Sequence, residues 1–253
     1  MKLIERLHPW TNPHHHPGVP YRDLLARLHA VLAPKSYLEI GVAGGGTLAL
    51  ARCAAIGIDP AFQMKGDPVK LRPVTHLFQM PSDEFFAAYE VRTFFPDGID
   101  FALLDGMHLF EFLLRDLINT ERCCKPDSVI ALHDCWPINP QMAEREHNPL
   151  ARADRPTRAW WTGDVWKLLP ILREHRPDLR VVIADCPPTG LVLLTGLDPA
   201  STTLTDRYDD IVARWQMTLD DYGFERFRTE FPTIDSRALI EEGRLERVLG
   251  RSA

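Results

Sequence analysis

The chain has 253 residues, 45% hydrophobic and 25% charged, so it is long and apolar enough to bury a sizeable core. Its 35 acidic and 29 basic residues give a net charge of −6, and no Lys/Arg block occurs, which argues against a nucleic-acid-binding surface. The 21 prolines exceed the average share of about 5% and argue against a mostly helical bundle.

The start of the chain and its cysteines indicate the cellular compartment. Met1–Arg6 is followed by His8-Pro9-Trp10 rather than by the apolar core of a signal peptide. Apolar runs such as Leu191–Leu194 are far shorter than the roughly 18 residues of a membrane span. The five cysteines form no CxxC pair, which favours free thiols. We expect a cytoplasmic protein without a membrane or nucleic-acid partner. The oligomeric state stays open, a homo-oligomer included.

The first 35 residues are predicted to form an arm and one helix. Four prolines punctuate the first twenty residues, so this arm is predicted to be non-helical. We interpret its His14-His15-His16 triplet as part of a native loop or lid, since three adjacent side chains cannot easily face one ion. Tyr21–Leu32 places its leucines at helical spacing and predicts a helix.

From Ser36 onward the pattern alternates between short apolar strands and helical segments. The predicted strands are Tyr37–Val42, Ala55–Asp59, Val74–Gln79, Asp100–Leu104, Ser128–Leu132, Arg180–Ala184 and Gly190–Thr195. The predicted helices are Thr47–Ala54, Ser82 (as N-cap) to about Val91, the segment from Phe110 to Ile118, the segment from Val165 to Leu172, Asp206–Tyr222 and Ser236–Leu249.

This alternation predicts an α/β fold with a doubly wound, mostly parallel seven-stranded sheet. The last two strands are joined without a helix, which predicts an antiparallel hairpin at one end of the sheet. We expect one core over residues 36–198, interrupted by a Pro/Trp-rich insert at 136–161. Residues 199–253 are predicted to be a helical extension of the same domain.

The strongest motif follows the first strand and runs from Glu39 to Thr47 as E-x-G-x-x-x-G-G-T. Ala43 stands where the dehydrogenase motif G-x-G-x-x-G requires glycine. An acidic residue at the start of the loop would repel a pyrophosphate but suits an ammonium group. Asp59, twenty residues further on, ends the second strand, where a carboxylate can accept both hydroxyls of a ribose. The pattern predicts a nucleoside ligand with a positively charged amino-acid tail.

Four later segments match the same kind of protein. They are Ile58-Asp59-Pro60, Pro81–Phe86, Phe101–His108 with the sequence D-G-x-H at its end, and Val129–Asp134. Together with the glycine loop they resemble the class I S-adenosylmethionine-dependent methyltransferases, and more narrowly the macrolide-sugar O-methyltransferases. The likeness covers about residues 37–195. Ala43 and Met80-Pro81 depart from the glycines that are more usual at these positions.

The resemblance implies a Rossmann-like fold and S-adenosyl-L-methionine as the cofactor. The residues expected to hold it are Glu39, Gly41, Gly45 and Asp59, with Ser82 or Asp83 near the adenine.

A second group of residues lies where the fourth and fifth strands end. Asp105, His108, His133 and Asp134 are expected to converge there, because neighbouring strand ends open on the same crevice. A divalent metal on Asp105, His133 and Asp134 is one interpretation, with Mg²⁺ suited to the carboxylates and a transition metal to the imidazole. A catalytic pair of His108 as general base and Asp105 is another. A purely structural cluster is the third.

The insert after the fifth strand carries tryptophans and polar residues. Trp136, Trp160, Trp161 and Trp166, with Thr162, Asp164 and Lys167, would suit the wall of a sugar site. Such tryptophans more often anchor loops or contact partners. Its basic residues (Arg145, His147, Arg152, Arg155 and Arg158) would contact an anionic acceptor or form a solvated loop.

These observations predict methyl transfer from S-adenosyl-L-methionine to a hydroxyl of a small-molecule acceptor, such as a sugar or a natural-product glycoside. A strand-end metal or a histidine base would assist the reaction. Two alternatives stay open. One is an oxidoreductase or hydroxylase on the same fold, and the other is a cofactor-binding protein without catalysis.

Overall fold

The computed structural model describes residues 16–67, 69, 71–153, 157–241 and 243–250. His14, His15 and most of the predicted arm lie outside this part of the chain. A seven-stranded sheet forms the centre, in the order β3-β2-β1-β4-β5-β7-β6. The strands are β1 (Ser36–Ile40), β2 (Ala54–Ile58), β3 (Thr75–Phe78), β4 (Ile99–Leu104), β5 (Cys124–His133), β6 (Arg180–Ala184) and β7 (Leu191–Thr195).

The pairing of the strands confirms the predicted fold class. The first five strands run parallel, whereas β7 is antiparallel to both β5 and β6. The order reverses between β1 and β4, which creates the switch point at which ligands bind in doubly wound sheets. A ligand is therefore expected at the carboxyl ends of these strands.

Two apolar layers cover the sheet. The helices are α1 (Tyr21–Leu32), α2 (Ser82–Ala88), α3 (Phe110–Cys123), α4 (Leu168–His175), α5 (Thr203–Asp206), α6 (Tyr208–Arg214), α7 (Leu219–Tyr222), α8 (Phe224–Glu230), α9 (Ser236–Leu239) and α10 (Arg244–Val248). Leucines of α1 pack with Tyr37 and Phe101 in one layer. The other layer contains the buried side chains of α2, α3 and α4.

The prediction of a helix over Thr47–Ala54, after the glycine loop, is wrong. Only a 3₁₀ turn, Leu48–Leu50, follows Thr47, and β2 already begins at Ala54. The guanidinium of Arg72 donates to the carbonyl oxygen of Leu48 at 2.6 Å. This carbonyl is one that a continuing helix would have paired with an amide one turn later.

The two helices predicted near the C-terminus are broken into shorter ones. Thr218 and Asp221 form a reciprocal capping box that starts α7, so no single helix spans Asp206–Tyr222. Gly243, with a φ of +69°, separates α9 from α10 within the predicted Ser236–Leu249. The predicted helix after β3 also ends early, at Ala88, and Ser82 is its first residue rather than its N-cap.

The remaining global predictions concern the thiols and the membrane. All five cysteines are free, as predicted. Among the described residues, no helix combines the length and the apolar character that crossing a bilayer requires. The proposed division at residues 35 and 198 stays a prediction.

Candidate functional site

A cavity of about 740 Å³ opens at the carboxyl ends of β1, β2, β4 and β5. Apolar residues cover much of its wall: Ile40, Ile58, Pro60, Pro81, Met107 and Phe112. The polar side chains in the wall are Asp59, Ser82, Asp83, Asp105, His108, Asp116, His133 and Asp134. Both groups of sequence-predicted site residues therefore meet in one cavity, apart from Glu39 and Gly45.

The turn after β1 depends on glycine where it meets β4. Gly41 has a φ of +86°, and a Cβ atom there would lie 1.9 Å from the carbonyl oxygen of Asp105. The backbone N–H of Asp105 in turn donates to the carbonyl of Ile40 at 2.9 Å. The glycine thus lets the two strand ends approach closely. Gly45 also has a positive φ, +76°, but faces Met64 rather than the cavity.

Asp59 is held in a fixed orientation at the end of β2. One carboxylate oxygen accepts the backbone N–H of Ala43 and the other that of Ala61, both at 2.7 Å. A carboxylate oxygen has more than one acceptor direction, so both oxygens can still receive hydroxyl donors. This agrees with the predicted ribose contact.

Glu39 does not reach the cavity wall. Its side chain is completely buried and accepts hydrogen bonds from the hydroxyls of Tyr37, at 2.7 Å, and Thr47, at 2.6 Å. Burial raises its pKa to about 7, although the two hydroxyls oppose the shift. In this arrangement Glu39 stabilises the glycine turn from beneath, and its direct contact with a cofactor stays a prediction.

The end of the cavity beside α2 and α3 contains three polar residues. Asp83 accepts from the guanidinium of Arg115 at 2.7 and 2.9 Å and is partly exposed. Asp116, on α3, is only 2% exposed and hydrogen-bonds the Ser82 hydroxyl. Sequence reasoning did not select Asp116 as a site residue. An acidic residue between Leu113 and Leu117 on an otherwise apolar helix face was the signal that could have identified it.

The histidine and the carboxylates after β4 and β5 converge as predicted. His108 Nε2 lies 3.4 Å from an oxygen of Asp105 and 3.2 Å from an oxygen of Asp134. Its Nδ1 lies 2.9 Å from the carbonyl oxygen of Trp161, so Nδ1 is the donor to that carbonyl. Although burial opposes a charge on the ring, the carboxylates of Asp134 and Asp105 raise the pKa of His108 to about 9.

His133 lies between the two carboxylates and the N-terminal helix. Its Nδ1 is 3.3 Å from Asp105 and 3.4 Å from Asp134, and its ring packs on Tyr21 at a centroid distance of 4.1 Å. Burial opposes its charge, but the two carboxylates raise its pKa, and the histidines hold the pKa values of Asp105 and Asp134 below their usual range.

Asp134 adopts a backbone conformation that is rare for an aspartate. Its φ is +61°, and its carboxylate accepts a hydrogen bond from the Thr189 hydroxyl. Such conformations persist where the surroundings hold them in place, and they cluster at functional sites. In this conformation the Asp134 carboxylate lies 3.2 Å from His108 and 3.4 Å from His133.

The set of side chains best placed for a metal differs from the predicted one. Ligand atoms of Asp105, His108 and Asp134 all lie within 4.8 Å of one another. His108, expected as a base, thus takes the place of His133 in this set. Two carboxylate oxygens and an imidazole nitrogen fit a divalent ion of intermediate hardness. Metal binding itself stays a prediction.

The insert packs directly on the segment that carries His108. The Trp161 ring lies 5.3 Å from the His108 ring and stacks on His147 at 5.5 Å. Gly163 approaches so closely that a Cβ atom would lie 1.7 Å from the His108 carbonyl oxygen. The insert therefore positions His108.

Other polar and aromatic residues of the insert and of the helix start that follows it have structural roles. Asp164 is buried and accepts hydrogen bonds from the first amide of α3, from Arg145 and from Lys167. Trp136 is 5% exposed and Trp166 completely buried in the core. A sugar-binding wall built from these two tryptophans was thus a wrong expectation, and the loop-anchor alternative describes them.

Comparison with known families identifies the central segment of the chain. Residues 38–135 match the family described as "Methyltransferase domain". The match covers less than half of the chain and is a likeness of this segment to that family. The match and the fold confirm the sequence-based resemblance to class I S-adenosylmethionine-dependent methyltransferases. The narrower likeness to enzymes of macrolide sugars stays a prediction. A search of curated proteins found no matching sequence.

Solved structures with a similar fold include three methyltransferases. The Podospora anserina methyltransferase PaMTH1, bound to S-adenosylhomocysteine, is 14% identical over 70% of this chain and 78% of its own, with a TM-score of 0.48. An O-methyltransferase from Bacillus cereus, in complex with the same molecule, is 11% identical over 71% and 83%, with a TM-score of 0.47. TomG from Streptomyces achromogenes, an O-methyltransferase involved in tomaymycin synthesis, is 12% identical over 69% and 78%, with a TM-score of 0.43.

Proposed function

We propose that this chain transfers a methyl group from S-adenosyl-L-methionine to a hydroxyl oxygen of a small molecule, such as a sugar or a natural-product glycoside. The observation that carries the proposal is that one cavity contains the carboxylate of Asp59 and the cluster of Asp105, His108 and Asp134. The carboxylate of Asp59 can accept hydrogen bonds from the hydroxyls of a ribose. The cluster can bind an acceptor hydroxyl and take its proton.

The cofactor would lie across the strand ends, with its ribose on Asp59. Gly41 lets the ends of β1 and β4 approach closely at the cavity wall, while Glu39 and Gly45 support the turn from outside the wall. Ser82 or Asp83 would lie near the adenine. When bound, the cofactor supplies an electrophilic sulfonium methyl group.

Methyl transfer of this kind is an in-line displacement, so the chain must align the acceptor oxygen and take its proton. Asp105, His108 and Asp134 would hold a divalent cation, Mg²⁺ or a transition metal, and such an ion would lower the pKa of a coordinated hydroxyl. His133 would support both carboxylates from behind through Nδ1.

His108 has two candidate roles, metal ligand and proton acceptor. Its pKa of about 9 means that it carries a proton at neutral pH while Asp105 and Asp134 are its partners. To act as a base, His108 must first lose that proton. A bound cation would displace the proton from Nε2 and take its place between the two carboxylates. The hydrogen bond of His108 to Trp161 fixes Nε2 as the nitrogen that faces the cavity in either role.

Acceptor specificity would come from the segments that border the strand-end cluster. The insert contributes Trp161 and His147 beside His108, the N-terminal helix contributes Tyr21 beside His133, and the rim contributes the exposed Met107. These contacts support the expectation that the arm and the insert decide which small molecule enters. A homo-oligomer and a cytoplasmic location stay predictions.

A methyl-transfer screen tests the proposal. Purified protein is incubated with S-adenosyl-L-methionine labelled on its methyl group and with a panel of hydroxylated small molecules, with Mg²⁺, with Mn²⁺ and with EDTA. Label in an O-methylated product, formed more slowly by the Asp59→Ala variant when the cofactor is limiting, supports the function. Activity insensitive to EDTA would remove the metal from the mechanism and leave His108 as the base. Oxidation of NADH by the same samples, without any methyl transfer, would overturn the function.

A further inference from the structure

The start of helix α3 is capped from a distant part of the chain. Leu109, the residue before the helix, is apolar and cannot accept from the free amides of the first turn. The amide of Phe110 donates instead to Oδ1 of Asp164 at 2.9 Å, 54 residues further along the chain. Because His108 lies just before this helix start, the Asp164 carboxylate fixes the joint that carries His108.

The segment 161–164 holds His108 from one side. The Trp161 carbonyl oxygen accepts from Nδ1 of His108 at 2.9 Å. Gly163, with a φ of +56°, packs so closely that a Cβ atom would lie 1.7 Å from the His108 carbonyl oxygen. Asp164 then binds the amide of Phe110. The ring of His108, its backbone and the helix that follows it are therefore all fixed by one short segment, and Asp164 lies behind the cavity wall rather than in it.

Two cations hold the Asp164 carboxylate in turn. Its Oδ2 accepts from Lys167 at 2.7 Å and from Arg145 at 2.6 Å, and Asp164 and Lys167 are only 2% and 1% exposed. Arg145 belongs to the insert and also pairs with Glu111 in the first turn of α3. A buried ion pair is a weak source of net stability, because desolvation offsets the attraction. The cluster does give the carboxylate one fixed direction.

We propose that Asp164 is a positioning residue for His108. By holding the start of α3, it keeps Nε2 of His108 at 3.4 Å from the Asp105 carboxylate and at 3.2 Å from that of Asp134. Arg145 locks Asp164, so the alignment depends on the docked insert. The catalytic consequence rests on the proposed function, whereas the alignment of the ring can be measured without any ligand. Asp164 itself takes no part in the proton transfer.

Asp164→Ala tests this role, with Glu121→Ala as the matched control. Glu121 is also a buried carboxylate that accepts from an arginine and a backbone amide, but it lies at the other end of α3. Exchange of the His108 Nδ1 proton is followed by NMR of the imidazole nitrogens in the ligand-free protein, and His108→Gln identifies the signal. We expect exchange to be about tenfold faster in Asp164→Ala, because the joint opens more often, and changed by less than about twofold in Glu121→Ala.

Methyl transfer by the same variants gives a second measurement. The rate is expressed per binding site for S-adenosyl-L-homocysteine, counted by calorimetry, so that unfolded protein does not enter it. We expect kcat to fall by about tenfold or more in Asp164→Ala, and the KM for the cofactor to stay within about twofold, since Asp59 is untouched. Should Asp164→Ala fail to fold, Arg145→Met removes a partly exposed partner of Asp164 and should also speed the exchange.

Two results would overturn the role of Asp164. One is an exchange rate and a kcat within about twofold of the wild type in folded Asp164→Ala, or unchanged exchange in Arg145→Met where that variant replaces it. The other is an equal change in Asp164→Ala and Glu121→Ala, which would make the effect one of stability alone. If the wild type transfers no methyl group while the His108 proton still responds to Asp164→Ala, the proposed function fails and the positioning role stands.

Discussion

Two pairs of buried carboxyl groups in and beneath this site have pKa values that are shifted in opposite directions. Glu39 and Asp116 are almost fully buried, and desolvation raises the pKa of each to about 7. Asp105 and Asp134 are desolvated as well, yet the pKa values of both are lowered. The difference is that His108 and His133 face the second pair. Burial alone therefore favours the neutral acid, and paired cations reverse the outcome.

The cavity consequently has a weakly charged side, next to Ser82 and Asp116, and a side with several full charges, next to His108. The first suits a heteroaromatic base, and the second suits a cation or the proton of an acceptor hydroxyl. Substitutions on each side of the cavity test this contrast.

Removing Asp134 should have the largest effect on stability. Asp134→Ala leaves His108 and His133 with one carboxylate between them, and an uncompensated buried charge costs about 3–5 kcal/mol of unfolding free energy. Urea denaturation at pH 7 measures the change. Asp209→Ala, at an exposed position, serves as the control and should change stability by less than about 0.5 kcal/mol. A loss below about 1 kcal/mol for Asp134→Ala would show that the histidines are neutral.

The raised pKa values of Glu39 and Asp116 predict that these two groups stabilise the folded chain more at low pH than at neutral pH. Acids paired with cations have the opposite dependence. Folded Glu39 keeps its proton up to about pH 7, whereas its ordinary pKa is 4.5, so between these values the folded chain binds more protons than the unfolded one. The stability that Glu39 contributes below about pH 4.5 is thus lost as the pH rises to 7, by up to about 3 kcal/mol.

Denaturation curves of the wild type and Glu39→Gln between pH 4.5 and 7.5 check this sign. The variant should lose less stability over the interval, because glutamine does not titrate. Equal slopes for the two proteins would mean that Glu39 is ionised in the folded chain. Asp105 and Asp134 act in the opposite direction, since their stabilisation is lost as the pH falls.

The junction between the two sides of the cavity depends on Gly41. Gly41→Ala would force a Cβ atom against the Asp105 carbonyl at a φ of +86°, and we expect a loss of about 2–3 kcal/mol. Gly44→Ala is the matched control in the same turn, because the nearest atom to its Cβ position is 3.7 Å away. If both variants unfold at the same urea concentration, the close approach of β1 and β4 is not required.

The ribose contact should have the smallest effect. Asp59→Ala removes two potential hydrogen bonds to a bound nucleoside, which corresponds to about 1–2 kcal/mol of binding free energy for S-adenosyl-L-homocysteine. Calorimetry of the folded variant measures the loss. An unchanged affinity would mean that the ribose lies elsewhere in the cavity.

The sequence predicts elements whose determinants are local. Helix α1 has the predicted ends, Tyr21 and Leu32, because Leu24, Leu25 and Leu28 at helical spacing form most of its buried face. The convergence of Asp105, His108 and Asp134 follows from their places at neighbouring strand ends. The missing helix after Thr47 could not be predicted, since the competing donor to Leu48 is Arg72, 24 residues away.

The directions in which side chains point could not be predicted from the sequence either. Glu39 follows the pattern of a cofactor ligand but points toward Tyr37 and Thr47, and the sequence does not show which of His108 and His133 directs a nitrogen at both carboxylates within the candidate metal set. Asp116 was missed because the sequence shows an acid among the apolar residues of α3 but does not show that this position lines a cavity.

Calorimetric titrations with two classes of cofactor test most directly whether the cavity binds an S-adenosyl compound. We expect S-adenosyl-L-homocysteine to bind at one site per chain and NADH to produce no binding heat in the same buffer. Binding of NADH without binding of S-adenosyl-L-homocysteine would contradict this expectation and would favour an oxidoreductase on the same fold.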